Sequence, residues 1–246
     1  MWNWISDLFQ KGNVTSPDSG AEASLESSRK RMVSQQLAGR GIHDPLVIAA
    51  MEEVPREAFV DEGYRQYAYD DGPLPILEGQ TISQPYVVAL MIEQLRLSPM
   101  DRVLEIGTGS GYAAAVISRI AAEVYTVERV SSLVEFARKN FEYLGYSNVQ
   151  VKEGDGTLGW PEFAPYEAII VAAGGPAVPA ALKEQLAVGG RLIIPVGREQ
   201  RAQRLVQVHR VNEVEYKEKK LSYVRFVPLI GEQAWEKERR RWTDFF

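Results

Sequence analysis

The sequence predicts an α/β protein with a central, mostly parallel sheet, helices on both faces, antiparallel strands at the C-terminal end and a helical lead-in. Two observations predict this fold. Short apolar runs alternate with helical stretches from residue 102 onward, as in successive strand–helix–strand units. A glycine-rich turn at residues 107–111 joins the first of these runs to the helix that follows.

The segment before residue 102 is expected to be mainly helical. From Arg29 to about Val60 the apolar spacing is helical, and Gly41 and Asp44-Pro45 divide it into two helices. A further apolar-periodic helix is expected from Pro85 to about Leu95. The lead-in therefore should pack as helices against the sheet.

Apolar runs and helical stretches then give the order of elements in the body. Five runs are expected to form the parallel strands, at 103–106, 124–127, 149–151, 168–172 and 191–196. Helices are expected between them at 111–121, 131–144 and 178–188. The alternating run 204–211 and the apolar run 223–229 predict strands, and Asn212-Glu213 predicts a hairpin turn. The sheet should therefore end in antiparallel strands.

Composition divides the chain into three parts, which are an amphipathic peg with a flexible linker at 1–28, the main domain at 29–231, and a charged aromatic tail at 232–246. Trp2, Ile5 and Leu8 share one helical face, so we expect this peg to pack on the protein or on a partner. Residues 11–28 are rich in Ser, Gly and acidic residues and are typical of a linker. We assign the tail no chemistry.

Charge and residue usage exclude several functions. The chain has no cysteine and two histidines, which disfavours disulfides, cysteine nucleophiles and a metal centre. A net charge of −5 gives little support for nucleic-acid binding. No run approaches the roughly 18 apolar residues that cross a bilayer, and the N-terminus lacks the features of a secretory signal. We expect a cytoplasmic protein, monomeric and without stable membrane insertion.

The first strand-to-helix turn carries the main ligand signal. Glycines allow close approach of the backbone to a ligand, and free amides at a helix start favour an anionic group. A dinucleotide site would need glycine at position 112, where Tyr112 stands. The spacing E-x-G-x-G-x-G instead resembles class I S-adenosylmethionine methyltransferases. Expected cofactor contacts in this turn are Glu105, Gly107, Thr108, Gly109 and Gly111.

Two further acidic positions follow the next strands. Glu128 ends the second strand, where a carboxylate can accept both ribose hydroxyl protons. Asp155, with Gly156 beside it, follows the third strand and could meet the adenine amino group, since ligands collect along the carboxyl edge of a parallel sheet. Alone, Glu128 is more typical of a solvated strand end, and Asp155 is equally typical of a turn aspartate. In combination with the glycine turn, Glu128 favours ligand binding.

Longer motifs resemble protein-L-isoaspartate O-methyltransferases over residues 31–231. The segment GQTISQPY at 79–86 is the most discriminating, and others lie in the same order at 54–59, 73–76, 105–112, 154–156, 189–197 and 224–229. This resemblance implies a Rossmann-like class I methyltransferase that transfers a methyl group from S-adenosylmethionine to the carboxylate of L-isoaspartyl residues in damaged proteins. The ester would collapse to a succinimide, which begins repair. S-adenosylhomocysteine would be the product, and no metal is implied.

The resemblance also implies an acceptor site at residues 80–83, just before the helix expected from Pro85. An isoaspartyl carboxylate has a pKa of roughly 4 and is already a nucleophile at neutral pH, so the site needs alignment more than acid or base help. We expect Ser83 to be the catalytic positioning residue, with Gln80 and Thr81 beside it in substrate binding. From the residues alone, Ser83 is more typical of an N-cap of the helix that begins at Pro85, although a cap can also face a ligand.

Departures from the family pattern leave other functions open. They are Leu77-Glu78, residues 172–175 and Ile230. The first and last could reshape the acceptor pocket and favour another carboxylate or a small molecule. A third hypothesis is a non-catalytic adaptor that binds the cofactor, which the peg and the tail support. A fourth is a nicotinamide dehydrogenase, which Tyr112 disfavours.

Overall fold

The computed structural model describes residues 19–199 and 202–235. The predicted peg and residues 236–246 of the predicted tail lie outside the described residues, and the side chains of 19–22 and 198–199 are likewise not described. Among the described residues, no helix is both long and apolar enough to cross a membrane.

The lead-in is helical, as predicted. Helix α1 (Ser19–Arg31) runs on through a π-helical turn (Met32–Leu37) and a 3-10 turn (Ala38–Arg40). Helix α2 (Pro45–Glu53) begins where expected, because the Asp44 carboxylate accepts hydrogen bonds from the amides of Leu46 and Val47. One difference concerns the predicted linker, whose last ten residues are the start of α1.

The remaining elements alternate along the chain. Between α2 and the first strand lie two 3-10 turns, Arg56–Phe59 and Glu62–Tyr67. The helices are α3 (Pro85–Leu95), α4 (Tyr112–Ser118), α5 (Ser131–Leu144) and α6 (Ala180–Glu184). The strands are β1 (Leu74–Pro75), β2 (Thr81–Ile82), β3 (Arg102–Ile106), β4 (Glu123–Glu128), β5 (Val149–Glu153), β6 (Tyr166–Val171), β7 (Leu186–Glu199), β8 (Ala202–Arg210) and β9 (Tyr216–Val224).

Seven of these strands form one sheet in the order β5-β4-β3-β6-β7-β8-β9. The pairs from β5 to β7 are parallel, and β7, β8 and β9 pair antiparallel. The predicted fold class is confirmed. Because β3 and β4 are central and parallel, their carboxyl ends meet at one edge, and residues after β5 and β6 flank them there.

Alternate residues of the strands supply two separate cores. Val103, Ile170 and Ile193 face a core built with the lead-in, α3, α4 and α5. Their neighbours Leu104 and Ile169 face a second core, which α6 and a cluster of aromatic side chains cover. Since side chains alternate along a strand, Glu105 shares the face of Val103 and points toward the helical side.

Two predicted elements differ from the structure. The helix expected at 178–188 ends at Glu184, because Leu186 already pairs with Tyr166 and begins β7. The strand expected at 223–229 is wrong beyond Val224. Residues 225–231 leave the sheet and cross its carboxyl edge, where Gly174 donates to the Val227 carbonyl at 2.8 Å. Pro228 lacks the N–H that a central strand position needs.

Candidate functional site

A cavity opens at the carboxyl edge of β3 and β4, on the side of the glycine turn. Segments from both halves of the chain line it, including the hairpin of β1 and β2, the turn and residues 226–230. It brings together most of the predicted site residues, which are Gln80, Thr81, Ser83, Glu105, Gly107, Thr108, Gly109, Glu128 and Gly156. Gly111 and Asp155 do not line it.

Glu128 fixes the glycine turn to the end of β4. Its Oε2 accepts a hydrogen bond from the amide of Gly109 at 3.1 Å, and its Oε1 accepts from the amides of Arg129 and Val130 at 2.8 and 3.0 Å. The side chain is 7% exposed and lines the cavity. One carboxylate therefore holds the shape of two loops and still presents an edge to a ligand.

Glu105 lies deeper, on β3, and is fully buried. Its Oε2 accepts from the hydroxyl of Thr126 at 2.5 Å, and Thr126 lies 2.6 Å from the hydroxyl of Thr108 in the turn. Oε1 has no hydrogen-bond partner among the described residues. Burial raises the pKa of Glu105 to about 8, and the charge of Glu128 adds to the rise, although the Thr126 hydrogen bond opposes it. An orphaned carboxyl oxygen on a cavity wall fits a ligand that donates a hydrogen bond or carries positive charge.

Gly111, at the end of the turn, does not line the cavity but allows close packing. Gly111 has a φ of +94°, and a Cβ there would lie 2.6 Å from Cζ of Phe141 on α5. Gly156 is similarly tight, since its Cβ would lie 2.3 Å from Cγ2 of Ile106. Both glycines therefore allow loops to press against neighbouring elements, and this shapes the cavity.

Asp155 has partners of its own. Its Oδ1 accepts from the amide and the hydroxyl of Thr157 at 2.9 and 2.7 Å, and its Oδ2 accepts from the amide of Glu232 at 2.7 Å. The predicted contact with adenine stays a prediction. The structure adds a role that the sequence did not indicate, in which Asp155 links the turn after β5 to the backbone at Glu232.

We call residues 226–235 the closing segment. The amide of Leu229 and the indole N–H of Trp235 both donate to the carbonyl of Gly174, at 2.8 and 3.1 Å. The amide of Gln233 donates to the Thr157 hydroxyl at 3.2 Å. The closing segment therefore bridges the loop after β6 and the turn after β5. Thr157 and Gly174 carry no sequence signal that separates them from ordinary loop residues.

Ser83 stands where the cavity meets a second groove. That groove has a volume of about 820 Å³, and Thr81, Ser83 and residues 223–228 line it. The capping alternative does not hold, because Gln84 is the N-cap residue of α3 and it makes no side-chain cap. Among the described residues the Ser83 hydroxyl has no hydrogen-bond partner, so it is available to a ligand.

The departures from the family pattern fall on different parts of the site. Leu77 and Glu78 line neither cavity, and the Glu78 carboxylate accepts from the Ser132 hydroxyl at 2.9 Å. They therefore act on the fit of the hairpin to α5. Ala172 lines both cavities, and Ala173 and Ile230 line the first.

Comparison with known proteins agrees with this geometry. Residues 27–234 match the family model described as protein-L-isoaspartate(D-aspartate) O-methyltransferase. Protein-L-isoaspartate O-methyltransferase 2 of Pelobacter propionicus is 62% identical over 210 residues, which are 85% of this chain and 93% of that protein.

Two solved structures share the fold. One, named protein-L-isoaspartate O-methyltransferase, has a TM-score of 0.77 at 35% identity and covers 84% of this chain and 67% of its own. The other is a putative enzyme of that name from Plasmodium falciparum in complex with S-adenosyl-L-homocysteine, with a TM-score of 0.72 at 29% identity, covering 82% and 98%.

The parallel sheet, the glycine turn after β3 and the acidic end of β4 define an S-adenosylmethionine-dependent methyltransferase fold of class I. Within that class, the chain belongs to the protein-L-isoaspartate(D-aspartate) O-methyltransferase family, which is a family of enzymes.

Proposed function

We propose that this chain transfers the methyl group of S-adenosylmethionine to the free carboxylate of L-isoaspartyl residues in damaged proteins, and so begins their repair through a succinimide. The observation that carries the proposal is the meeting of two cavities at Ser83, one lined by Glu105 and Glu128 and the other open to residues 223–228. An activated methyl donor and an extended peptide can each occupy one side.

The residues on the donor side fit the methyl donor. Glu128 would accept the ribose hydroxyls, and the orphaned Oε1 of Glu105 would receive the positively charged end of the molecule. Gly107 and Gly109 would let the backbone approach it closely. Asp155 and Gly156 would border the adenine. When bound, S-adenosylmethionine supplies a methyl group that its positive sulfur already activates.

The acceptor side needs to align a carboxylate, not to activate it. With a pKa of roughly 4 the isoaspartyl carboxylate is ionised at neutral pH, so no general base is required. Its oxygen forms the new bond to the methyl carbon as the carbon–sulfur bond breaks, and the electron pair stays on sulfur. Ser83 would hold the second carboxylate oxygen, with Gln80 and Thr81 beside it. Correct alignment of two reactants can lower a barrier by about 7 to 11 kcal/mol.

Methyl transfer to a matched pair of peptides tests the proposal. One peptide carries isoaspartate and its twin carries aspartate in the same sequence. We expect methylation of the first alone, and we expect Ser83→Ala to lower kcat by about tenfold or more while the Kd for S-adenosylhomocysteine stays the same.

Ser27→Ala, at an exposed position on α1 that lines neither cavity, is a suitable control for the substitution itself. Equal methylation of both peptides would overturn the acceptor assignment and favour another carboxylate, the alternative that Ala172 and Ile230 support by lining the cavities. An unchanged kcat in Ser83→Ala would remove Ser83 from the mechanism. We further propose a cytoplasmic monomer that acts on protein and peptide substrates without a metal.

A further inference from the structure

Arg56 is the largest fully buried side chain of the described residues, and it lies outside both cavities. Its Nε donates to the carbonyl of Ala68 at 2.7 Å. Nη1 and Nη2 have no hydrogen-bond partner among the described residues. The neighbouring acid is not its partner either, because the Glu57 carboxylate accepts from the hydroxyl of Tyr69. A guanidinium is thus buried without a carboxylate.

The guanidinium lies instead against an aromatic ring. Its Cζ is 4.9 Å from the ring centroid of Tyr112, which is 2% exposed. Two more lead-in residues hold the same ring: Phe59 packs on it edge-on at 5.7 Å between centroids, and the Tyr112 hydroxyl donates to Sδ of Met51 at 3.6 Å. Three residues of the lead-in, Met51, Arg56 and Phe59, therefore contact Tyr112.

Tyr112 has a particular place in the fold. It is the first residue of α4, directly after Gly111, and it lines the donor cavity. Its position therefore sets where the glycine turn ends. The turn is held from the other side by Glu128, which accepts from the amide of Gly109.

The charge of Arg56 is costly to bury. Burial lowers the pKa of Arg56 to about 10, because the protein interior disfavours its charge. Replacing a poorly compensated buried charge with an apolar side chain of similar length is often neutral or stabilising. A buried charge that contacts a wall residue of a ligand site is a candidate for function.

We propose that Arg56 is a positioning residue for the methyl donor, which acts by fixing the ring of Tyr112 and with it the end of the glycine turn. The inference rests on the proposed function, since it assumes that the turn receives S-adenosylmethionine. In this proposal the helical lead-in stabilises the position of the glycine turn and therefore the geometry of the donor site.

Calorimetric binding of S-adenosylhomocysteine to the full chain tests the proposal, together with thermal unfolding of the free protein. For Arg56→Met we expect the Kd to rise about tenfold, the size of a desolvated cation–ring contact, with a Tm no more than about 2 °C below that of the wild type. For Arg56→Lys, which keeps the charge without the planar group, we expect a rise of about threefold.

Arg119→Met is the matched control. Arg119 lies 4.4 Å over the ring of Tyr146 in the same aromatic cluster, but Tyr146 does not line the cavity. This variant should keep the wild-type Kd. Equal losses of affinity in both variants would make the effect a general one of the cluster and would overturn the proposal.

A double-mutant cycle with Tyr112→Leu covers the case in which Arg56→Met folds poorly. If Arg56 acts through the ring, Arg56→Lys should not weaken binding further once the ring is gone. Additive losses would overturn the proposal, as would a wild-type Kd in Arg56→Met. Failure of the wild-type chain to bind S-adenosylhomocysteine would instead contradict the proposed function.

Discussion

The donor side and the acceptor side of the cavity are built from different kinds of structure. On the donor side Glu105, Thr126 and Glu128 stand on adjacent parallel strands, whose register pairs Glu105 with Thr126. On the acceptor side, the hairpin consists of two short strands, and the closing segment lies outside the strands of the main sheet. Single hydrogen bonds, such as the one from the Trp235 indole to Gly174, hold these segments in place.

The comparison separates two ways of making a binding surface. The donor side is rigid because the sheet fixes it. It lowers the free energy of unfolding, because it buries the Glu105 carboxyl, one oxygen of which has no hydrogen-bond partner among the described residues. The acceptor side costs little free energy of unfolding, but its position depends on a few contacts that a substitution can remove. We therefore expect changes on the donor side to alter stability and donor affinity together, and changes on the acceptor side to alter mainly the acceptor KM.

The largest expected effect concerns the stability cost of Glu105. Its pKa is about 8 in the folded protein, against an ordinary value of 4.5. Below pH 4.5 both states hold the proton. As the pH rises from there to 8, the unfolded chain releases its proton first, so the free energy of unfolding falls by about 1.4 kcal/mol for each pH unit at most. Glu105→Gln stays neutral and should gain a few kcal/mol over the wild type between pH 5 and 8.

Urea unfolding of both proteins at pH 5, 6.5 and 8 measures this gain. Glu123→Gln, an acid on the same sheet that pairs with Arg102 at the surface, serves as control and should show no such gain. A constant difference between Glu105→Gln and the wild type at all three pH values would show that the buried carboxyl carries no cost.

Loss of Glu128 should have the next largest effect. Glu128→Ala removes hydrogen bonds to three backbone amides as well as the proposed ribose contact. Hydrogen bonds to charged groups contribute about 1.5 to 3 kcal/mol, so the Kd for S-adenosylhomocysteine should rise about a hundredfold. Calorimetry measures it. A Kd within threefold of the wild type would mean that β4 does not contribute to the donor site.

Gly231→Ala tests the acceptor side. A Cβ at this position would lie 2.0 Å from Oδ1 of Asp155, so the closing segment must move away from the turn after β5. We expect the KM of an isoaspartyl peptide to rise about tenfold, the equivalent of one lost charged hydrogen bond. The Kd for S-adenosylhomocysteine should rise less, although Asp155 borders the proposed adenine site, because the Asp155 carboxylate also bonds to Thr157 within its own turn.

Gly63→Ala is the matched control, since a Cβ there meets nothing within 4 Å. A parallel rise of donor Kd and acceptor KM in Gly231→Ala would break the distinction between the two sides, because it would mean that the closing segment supports both.

The smallest effect is expected for Trp235→Phe. This change keeps an aromatic ring and removes only the indole N–H that donates to Gly174. A neutral hydrogen bond contributes about 0.5 to 1.5 kcal/mol, so the peptide KM should rise about threefold. Steady-state kinetics at saturating donor checks it, and an unchanged KM would show that the other contacts of the closing segment suffice.

The same difference explains what the sequence could predict. The donor residues follow from strand period and glycine spacing, which are local patterns, so Glu105 and Glu128 could be placed before the structure. The closing segment could not, because its apolar run reads as a strand and only tertiary contacts with Gly174 draw it across the sheet edge. Thr157 and Arg56 likewise contact partners distant in sequence. The role of Ser83 stays a prediction that rests on the family resemblance.

The outer strands of the sheet bear on the substrates of this family. Among the described residues, β9 has one side without a neighbouring strand, and it carries the exposed Lys217, Lys219 and Lys220. On the opposite margin, the Arg138 guanidinium donates to the carbonyl of Val151 on β5. Such charges discourage a foreign strand from adding to a sheet. We expect these charges to keep an enzyme of this family from pairing its sheet edges with exposed strands of its damaged protein substrates.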